Sequence, residues 1–205
     1  MTVMLVPAKG LEGAKSRLAS VLSLAARRTL ATTMLRQVLA AARTCPLVRR
    51  TVVISASQDV AALAAQEGAD WMADPHESKG NLKTVIDHGI ATLRAETSEG
   101  ILVVMGDLPY VNSQDLDTLI GELQSRTVVI APDRHKLGTN ALGLAADVDL
   151  PTCFGRSDSY AEHLKKTQEH NLLATPVLLP GLALDIDTEA DLNLYLAGKS
   201  STEYL

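Results

Sequence analysis

Three aspartates in two separated segments are the residues of this chain best suited to chemistry. Asp107 follows the apolar run 101–105, and Asp185 and Asp187 follow the shorter apolar run 182–184. Both runs are interpreted as strands, and ligands bind at the carboxyl ends of strands in an open α/β sheet. Carboxylates brought within a few ångströms of one another repel unless a hard divalent cation lies between them. The pattern therefore predicts a Mg²⁺ site and, with it, a phosphorylated substrate.

The spacing of the second pair supports a shared ion but leaves one alternative open. Asp185 and Asp187 are two residues apart, so in an extended segment both side chains point to the same face. Thr188 is also placed to cap the helix predicted after it, in which case the aspartates would only decorate a turn. Asp107 alone is typical of a turn with a capping acid, so its interpretation depends on the second segment.

The loop after the first predicted strand is the best candidate for holding phosphate. It contains two glycines and three basic side chains, Lys9, Lys15 and Arg17, within residues 7–18. Backbone amides freed by glycine can cradle phosphate oxygens, and Lys or Arg neutralises their charge. The spacing of the glycines matches neither the Walker pattern nor the dinucleotide fingerprint. The alternative interpretation is a flexible basic surface loop.

Three further segments offer donors for an anion or a nucleotide. Gly138 and Thr139 supply an amide and a hydroxyl beside a predicted strand, unless they only occupy turn positions. Ser159 opens a predicted helix whose free N–H groups attract phosphate or carboxylate, or it is only the N-cap of that helix. Gly80-Asn81 precedes another predicted helix, where the amide side chain could read a nucleobase edge.

Composition limits the class of protein. The chain has 205 residues, of which 46% are hydrophobic and 3% aromatic, and its formal net charge is −5. An aliphatic core suits parallel strands covered by helices, and the negative charge argues against a nucleic-acid polymer as partner. Cys45 and Cys153 show neither metal spacing nor a disulfide pattern, which indicates a cytoplasmic protein. The apolar stretch 1–6 is too short for a membrane span. The five histidines have no ligand spacing and are assigned no catalytic role.

Apolar runs and helical periods alternate along the chain. With short connections, this alternation predicts a doubly wound, mostly parallel α/β sheet in a single domain, 1–205. The irregular stretch 137–154 is expected to insert an antiparallel strand or hairpin. The expected helix caps are Ser23, Ser57 and Ser113, with Gly68 as a left-handed stop. The predicted strands span 2–6, 51–54, 101–105, 128–131 and 141–145, and the predicted helices span about 24–44, 60–66, 81–95, 114–123 and 159–170.

Seven short segments occur in this chain in a distinctive order. They are Pro7-Ala8-Lys9, Ala14-Lys15-Ser16-Arg17-Leu18, Gly106-Asp107-Leu108-Pro109, Ala131-Pro132-Asp133, Gly138-Thr139-Asn140-Ala141-Leu142, Phe154-Gly155 and Leu184-Asp185-Ile186-Asp187-Thr188. In this order the chain resembles the 2-phospho-L-lactate guanylyltransferases, a family with relatives that use phosphoenolpyruvate or 3-phospho-D-glycerate. The resemblance runs from residue 3 to about residue 192 and depends on the ordered set.

The resemblance implies a nucleotidyltransferase with a three-layer, Rossmann-like fold of the nucleotide-diphospho-sugar transferase type. Such an enzyme joins GMP from GTP to a phosphorylated three-carbon acid and releases pyrophosphate, in the synthesis of coenzyme F-420. By the family pattern, Asp107, Asp185 and Asp187 hold Mg²⁺. The other implied roles are catalysis for Lys9, Lys15, Arg17 and Asp107, acid binding for Thr139, Gly155 and Ser159, and nucleotide binding for Pro7, Ala8, Lys9, Gly80 and Asn81.

The sequence departs from the family pattern at two places. The segment after Phe154-Gly155 is one residue longer, so Ser157 and Ser159 are both candidates for the serine that contacts the acid. The family's Gly-Leu-Asn motif is represented only by Gly80-Asn81.

The implied chemistry is consistent with the residues present. The attacking group is a phosphate, which is already ionised at neutral pH, so no general base is required. The chain correspondingly shows no Ser/His/Asp or Cys/His arrangement. Catalysis then requires alignment of two anions and neutralisation of their charge by Mg²⁺ and by Lys9, Lys15 and Arg17.

Two other functions stay open at this point. The chain could be a nucleotidyltransferase for another phosphorylated metabolite, although it lacks the Gly-Gly-rich loop followed by Arg-Met that usually opens those enzymes. It could also be a non-catalytic nucleotide-binding protein. The expected partners are GTP and a small phosphorylated carboxylic acid, with no nucleic-acid polymer and no membrane. A homodimer through the segment 137–153 is a further possibility.

Overall fold

The computed structural model describes residues 1–75 and 78–202 of the chain, so His76 lies outside the described residues. Seven strands of the described part form one sheet in the order β3-β2-β1-β4-β6-β5-β7. The strands are β1 Thr2–Pro7, β2 Val48–Ser55, β3 Asp70–Ala73, β4 Gly100–Val104, β5 Thr127–Pro132, β6 Thr139–Leu144 and β7 Leu173–Pro176. The helices are α1 Leu24–Thr44, α2 Gln58–Gln66, α3 Leu82–Glu96, α4 Ser113–Gly121, α5 Ser159–Glu169, α6 Pro180–Ala183 and α7 Glu189–Thr202.

Side chains that alternate along the central strands build a core on each face of the sheet. On β1, Met4 and Val6 pack in the cluster that includes buried residues of α1, α2 and α4. Val3 and Leu5 pack in the opposite cluster, with buried residues of α3 and with Leu164 of α5. Because successive side chains of a strand point to opposite faces, both faces of the sheet are apolar, and helices cover each of them. The predicted three-layer, mostly parallel α/β fold is confirmed.

The direction of β6 decides which chain segments meet at one rim. β6 pairs antiparallel with both β4 and β5, and Val104 at the end of β4 lies opposite Ala141. The amino end of β6, at Thr139, therefore shares a rim with the carboxyl ends of β1, β4 and β5. The antiparallel insertion predicted within 137–154 is confirmed, and it carries Thr139 to the same side of the sheet as Asp107.

Local capping follows the sequence at three of four predicted positions. The Ser23 hydroxyl accepts from the Ala26 amide at 3.2 Å, and Ser57 accepts from the Val60 amide at 3.5 Å. Gly68 ends α2 with a φ of +76°. The prediction that Ser113 caps α4 is wrong, because Asn112 is the cap. The Asn112 side-chain oxygen accepts from the Gln114 amide at 2.9 Å and from the Asp115 amide at 3.1 Å. The buried Asp115 carboxylate, at the third helical position, accepts in return from the Asn112 amide.

The apolar run 182–184 is not a strand, which corrects the expectation for the second acidic segment. Residues Pro180–Ala183 form the short helix α6, and an extended segment follows from Leu184. Asp185 therefore reaches the rim from the end of a helical turn. The turn is tied to the sheet because the Leu182 carbonyl accepts from the Asn140 side chain at 2.9 Å and the Ala183 carbonyl accepts from the Arg134 amide at 2.7 Å.

The edge strands β3 and β7 are absent from the sequence prediction. Both have four residues that are mostly exposed, so they lack the apolar run by which the central strands are recognised. Among the described residues, the structure contains no helix that combines the length and the apolar character needed to cross a membrane.

Candidate active site

Three carboxylates converge at the rim formed by the carboxyl ends of the parallel strands. One oxygen each from Asp107, Asp185 and Asp187 lies within 4.8 Å of the others. Asp107 follows β4, whereas the other two belong to the extended segment between α6 and α7. The Asp107 Oδ1 atom is buried and has no hydrogen-bond partner among the described residues. The convergence predicted from the sequence is confirmed, and a buried oxygen without a partner is an available ligand for a cation.

Lys15 lies against this triad. Its Nζ donates to Asp107 Oδ2 at 2.6 Å and to Asp187 Oδ1 at 2.9 Å, and its side chain is only 8% exposed. Burial alone would lower the pKa of Lys15, but the charges of Asp107 and Asp187 and the hydrogen bonds to them outweigh that effect. The pKa of Lys15 is therefore raised, and the ammonium group stays charged.

The backbone that presents Lys15 is held in an uncommon conformation. Lys15 has a φ of +53°, in the left-handed region, which costs a residue with a side chain about 1 kcal/mol. The preceding carbonyl, of Ala14, accepts from Arg27 Nη1 of α1 at 3.2 Å. Leu18, three residues later, is fully buried against Met34 and Ile186. These contacts hold the loop on both sides of Lys15 and so stabilise its strained backbone conformation.

Asp185 is a partly buried acid of the triad whose ionisation is perturbed by its surroundings. Burial raises its pKa, and the charges of Asp107 and Asp187 raise it further, to about 6. The Asn140 side chain opposes this by donating to Asp185 Oδ1 at 3.4 Å. A divalent cation among the three oxygens would stabilise the ionised form of Asp185.

The other basic residues of the first loop are more exposed. Arg17 Nη1 lies 3.2 Å from Asp187 Oδ2, but the Arg17 side chain is 74% exposed, so this ion pair adds little to stability. Lys9 is exposed just beyond β1, where Pro7 is still paired with Ile54 and the Ala8 amide donates to the Ile54 carbonyl at 3.0 Å. The rim therefore presents two exposed cationic side chains in addition to the buried ammonium group of Lys15.

A capping box fixes the segment that carries Asp187. Asp191 Oδ2 accepts from the Thr188 amide and hydroxyl, each at 2.7 Å, and from the Asp187 amide at 3.2 Å. Its Oδ1 accepts from Arg134 Nη2 at 2.6 Å. Thr188 thus caps α7, and the aspartates before it still converge with Asp107. Capping by Thr188 and convergence of the aspartates, which the sequence presented as alternatives, therefore occur in the same structure. The Thr-x-x-Asp spacing was a signal for Asp191, whereas no pattern pointed to Arg134.

Two of the residues predicted to bind the acid, Thr139 and Ser159, meet at the amino end of β6. Ser159 Oγ lies 3.4 Å from Thr139 Oγ1, and both residues are buried. Ser157 is exposed, and which of the two serines contacts the acid stays a prediction. Ser159 is the first residue of α5, and its N-cap is Asp158. The Gly138 amide is occupied by Asp133 Oδ2 at 2.8 Å, so the donor left in that segment is the Thr139 hydroxyl.

Two predicted segments that are far apart in sequence meet at the start of α3. Asn81 is the N-cap of α3, and its side-chain oxygen accepts from the Thr84 amide at 3.1 Å. Gly80 has a φ of +77° and Gly155 one of +84°, so both adopt a conformation that favours glycine. A Cβ atom added to Gly155 would lie 3.6 Å from the Leu82 Cβ. The capping role accounts for the oxygen of Asn81, and its role toward a nucleobase stays a prediction.

His163 lies directly behind Thr139 and was not singled out by the sequence. It is fully buried on α5, four residues after Ser159, and its Nδ1 lies 3.0 Å from Thr139 Oγ1. Burial lowers the pKa of His163 to about 4, so the ring is neutral at neutral pH. The i,i+4 spacing from Ser159 was the signal that could have found it.

We expect His163 to make stability depend on pH with a definite sign. A histidine whose pKa falls from 6.5 unfolded to about 4 folded stabilises the fold fully above pH 6.5 and loses that contribution as the pH falls toward 4. The loss amounts to about 3 kcal/mol. Asp185 acts in the opposite direction, because its pKa is raised on folding. The measurement is therefore the difference in free energy of unfolding between the wild type and His163→Asn, by urea denaturation across this range. A pH-independent difference would contradict the prediction.

Comparison with known proteins places the chain in a family. The family model for CofC-like guanylyl transferases matches residues 2–205. The chain belongs to this family. It is 33% identical over 195 residues to the phosphoenolpyruvate guanylyltransferase of Sphaerobacter thermophilus, with 93% of this chain and 90% of that protein covered. It is 35% identical over 198 residues to the protein of the same name from Chloroflexus aggregans, with 95% and 96% covered. The resemblance drawn from the ordered motifs is confirmed.

Solved structures support the fold at low sequence identity. A putative nucleotide-diphospho-sugar transferase from Desulfovibrio desulfuricans G20 superposes with a TM-score of 0.80 at 17% identity, covering 95% of this chain and 85% of that one. CMP:2-keto-3-deoxy-manno-octonic acid synthetase complexed with CTP superposes with a TM-score of 0.65 at 13% identity, covering 98% and 99%. The predicted nucleotide-diphospho-sugar transferase type of fold is confirmed, and family and fold together make the protein a nucleotidyltransferase.

Proposed function

We propose that this protein transfers GMP from GTP to the phosphate of a phosphorylated three-carbon acid and releases pyrophosphate, in the synthesis of coenzyme F-420. Phosphoenolpyruvate is the first candidate acid because the relatives at 33% and 35% identity carry that name. The candidates 2-phospho-L-lactate and 3-phospho-D-glycerate follow it. The observation that carries the proposal is the cluster of three carboxylates around Lys15 at the ligand-binding rim of this fold.

The triad fits Mg²⁺ as the metal of this reaction. Hard divalent cations take oxygen ligands, and the three residues offer carboxylate oxygens within 4.8 Å of one another. Asp107 also has a buried oxygen, Oδ1, without a partner among the described residues. Asp107, Asp185 and Asp187 would hold the ion. When bound, Mg²⁺ supplies charge neutralisation and polarisation at the phosphates.

The residues of the chain supply the remaining requirements. An oxygen of the acid's phosphate attacks the α-phosphorus of GTP, a new P–O–P bond forms, and the bond to the bridging oxygen breaks with its electrons on the leaving pyrophosphate. Lys9, Lys15 and Arg17 offset the repulsion between the two anions. The segment from Pro7 and Ala8 to Lys9, with Gly80 and Asn81, binds the nucleotide. Thr139, Gly155 and Ser159 hold the acid, which aligns its phosphate.

The proposal extends to the state of the protein in the cell. Residues 1–205 act as one nucleotidyltransferase domain in the cytoplasm, a location consistent with free, buried Cys45 and Cys153. Within the segment 137–153 suggested as a homodimer contact, β6 is buried between β4 and β5. A second copy would therefore contact the parts of this segment on either side of β6.

The test is a mass-spectrometric screen of the purified protein with GTP, Mg²⁺ and each of the three acids. We expect a guanylylated acid together with pyrophosphate, and no product when Mg²⁺ is removed with a chelator. ATP, CTP and UTP are the matched controls for the nucleotide. Product from another nucleotide alone would favour a nucleotidyltransferase of different specificity. Nucleotide binding in a thermal-shift assay without any product would favour a non-catalytic binding protein.

A further inference from the structure

His163 links the polypeptide backbone to the hydroxyl of Thr139. Its Nε2 accepts from the Cys153 amide at 2.8 Å, and its Nδ1 lies 3.0 Å from Thr139 Oγ1. The ring is fully buried and packs edge-on against Phe154, with the ring centroids 5.0 Å apart. Both ring nitrogens thus have defined partners, and the ring is held on a third side.

The contact with Cys153 determines the tautomer of the ring. A backbone amide can only donate a hydrogen bond, so Nε2 must carry the lone pair and no proton. The buried ring is neutral at neutral pH, and its single proton is therefore on Nδ1. The backbone carbonyl of Ser159 also favours a proton on the ring. The Nδ1–H group accordingly has two acceptors, the Ser159 carbonyl and the Thr139 hydroxyl oxygen.

This tautomer determines what the two neighbouring hydroxyls can do. The Thr139 hydroxyl cannot donate to His163, because Nδ1 carries a proton. Thr139 and Ser159 can exchange one hydrogen bond across their 3.4 Å separation, which uses one of their two hydroxyl protons. Whichever residue donates within the pair, one hydroxyl proton is left to point out of it. The pair is therefore a hydrogen-bond donor toward any ligand that reaches it.

The pair is linked to the carboxylate triad through the chain of β6. Thr139 precedes Asn140, whose side chain donates to Asp185 Oδ1 at 3.4 Å and to the Leu182 carbonyl at 2.9 Å. A ligand that bridges the pair and the triad would present an anionic oxygen to the first and a phosphate to the second. A phosphorylated carboxylic acid has that distribution of groups.

We propose that His163 is a positioning residue that polarises the Thr139–Ser159 hydroxyl pair as a donor for the carboxylate of the acid substrate. The inference rests on the proposed function and extends it to substrate choice. A carboxylate has only acceptor oxygens, so it matches the hydroxyl proton that the pair has left to donate. His163 does not touch the substrate and acts through Thr139.

Two variants separate positioning from a structural role. The His163→Asn side-chain amide can replace Nδ1 as donor to Thr139 but leaves the Cys153 amide without an acceptor. The His163→Gln side chain can keep an acceptor near Nε2 but removes the donor to Thr139. We expect His163→Gln to raise the KM for the acid about tenfold, with the KM for GTP unchanged and a melting temperature near that of the wild type. We expect His163→Asn to melt lower and to keep a KM for the acid near the wild-type value.

A double variant tests the path through Thr139. Thr139→Val should raise the KM for the acid as much as His163→Gln does. Adding His163→Gln to Thr139→Val should have no further effect, because the two changes remove one hydrogen-bonded chain. Effects that multiply would contradict the proposal. The proposal would also be contradicted if the KM for the acid rose in proportion to the loss of melting temperature, so that His163→Asn had the higher KM of the two His163 variants.

Two measurements do not depend on turnover. ¹⁵N NMR of the histidine rings, with the His163 signals assigned by their absence in His163→Gln, should show the proton on Nδ1, and a proton on Nε2 would overturn the inference. Calorimetric titration with phosphoenolpyruvate in the presence of Mg²⁺ should show weaker binding to His163→Gln. Unchanged binding refutes this inference alone, whereas an acid that binds to the wild type without conversion refutes the proposed function alone.

Discussion

Replacement of either Asp107 or Asp187 by Asn is expected to lower kcat by about 100-fold or more while the fold is retained. Each substitution keeps the size of the side chain but removes one of the three anionic ligands that converge within 4.8 Å. The remaining carboxylate still pairs with Lys15, because Lys15 contacts both residues. The measurement is the steady-state rate of pyrophosphate release with GTP and phosphoenolpyruvate, accompanied by circular dichroism and thermal melting.

Asp59→Asn is the matched control for these variants. Asp59 is an exposed carboxylate on α2 that pairs with Arg28, outside the triad. It should keep wild-type turnover and a melting temperature close to that of the wild type, since an exposed ion pair contributes little. Full turnover in purified Asp107→Asn or Asp187→Asn would remove the triad from the mechanism.

Replacement of Lys15 by Met is expected to lower kcat by about 100-fold while raising the affinity of the triad for a divalent cation. Met retains most of the buried stem but not the ammonium group that lies 2.6 Å from Asp107 and 2.9 Å from Asp187. The carboxylates then lose a competing cation and bind a metal more tightly, whereas the phosphates lose a fixed positive charge. The affinity is measured by Mn²⁺ titration followed by electron paramagnetic resonance, and the rate is measured as above.

Arg17→Met is the matched control for Lys15→Met. The Arg17 side chain is 74% exposed and contacts only Asp187 within the triad, so its removal should lower kcat by less than about tenfold. Equal losses in the two variants would mean that the fixed position of Lys15 has no special importance. Wild-type kinetics in Lys15→Met would rule out its catalytic role altogether.

The parts of the site that sequence could predict are those carried by residue type and local pattern. Asp185 and Asp187 were recognised by their spacing, and Asp107 by its place after an apolar run. Their convergence followed from the rule that strand ends meet at one rim, although the segment before Asp185 proved to be a helical turn. The rule succeeded there because α6 is tied to the sheet through Asn140 and Arg134, which bring its end to the same rim.

The parts that sequence missed depend on pairing between distant segments. His163 was assigned no role from the sequence, and only the packing of α5 against the sheet places it behind Thr139. Arg134 is one of several basic residues in a polar loop, and its role is visible only where it meets Asp191, 57 residues later. No periodicity records such contacts, because they are formed by tertiary packing.

The sequence by itself determined the class of fold, the family and the acidic and basic residues that are proposed to meet the phosphates. Those features follow from alternating apolar periods, from short motifs in a particular order and from the charge of individual side chains. Only the tertiary structure decided the contact of Lys15 with two acids at once, the anchoring of Asp187 by Asp191 and Arg134, and the contact of the Thr139 hydroxyl with a buried histidine. The reason is physical: hydrogen bonds and ion pairs require side chains to meet within about 3 Å, a condition imposed by packing across the sheet and absent from the order of residues along the chain.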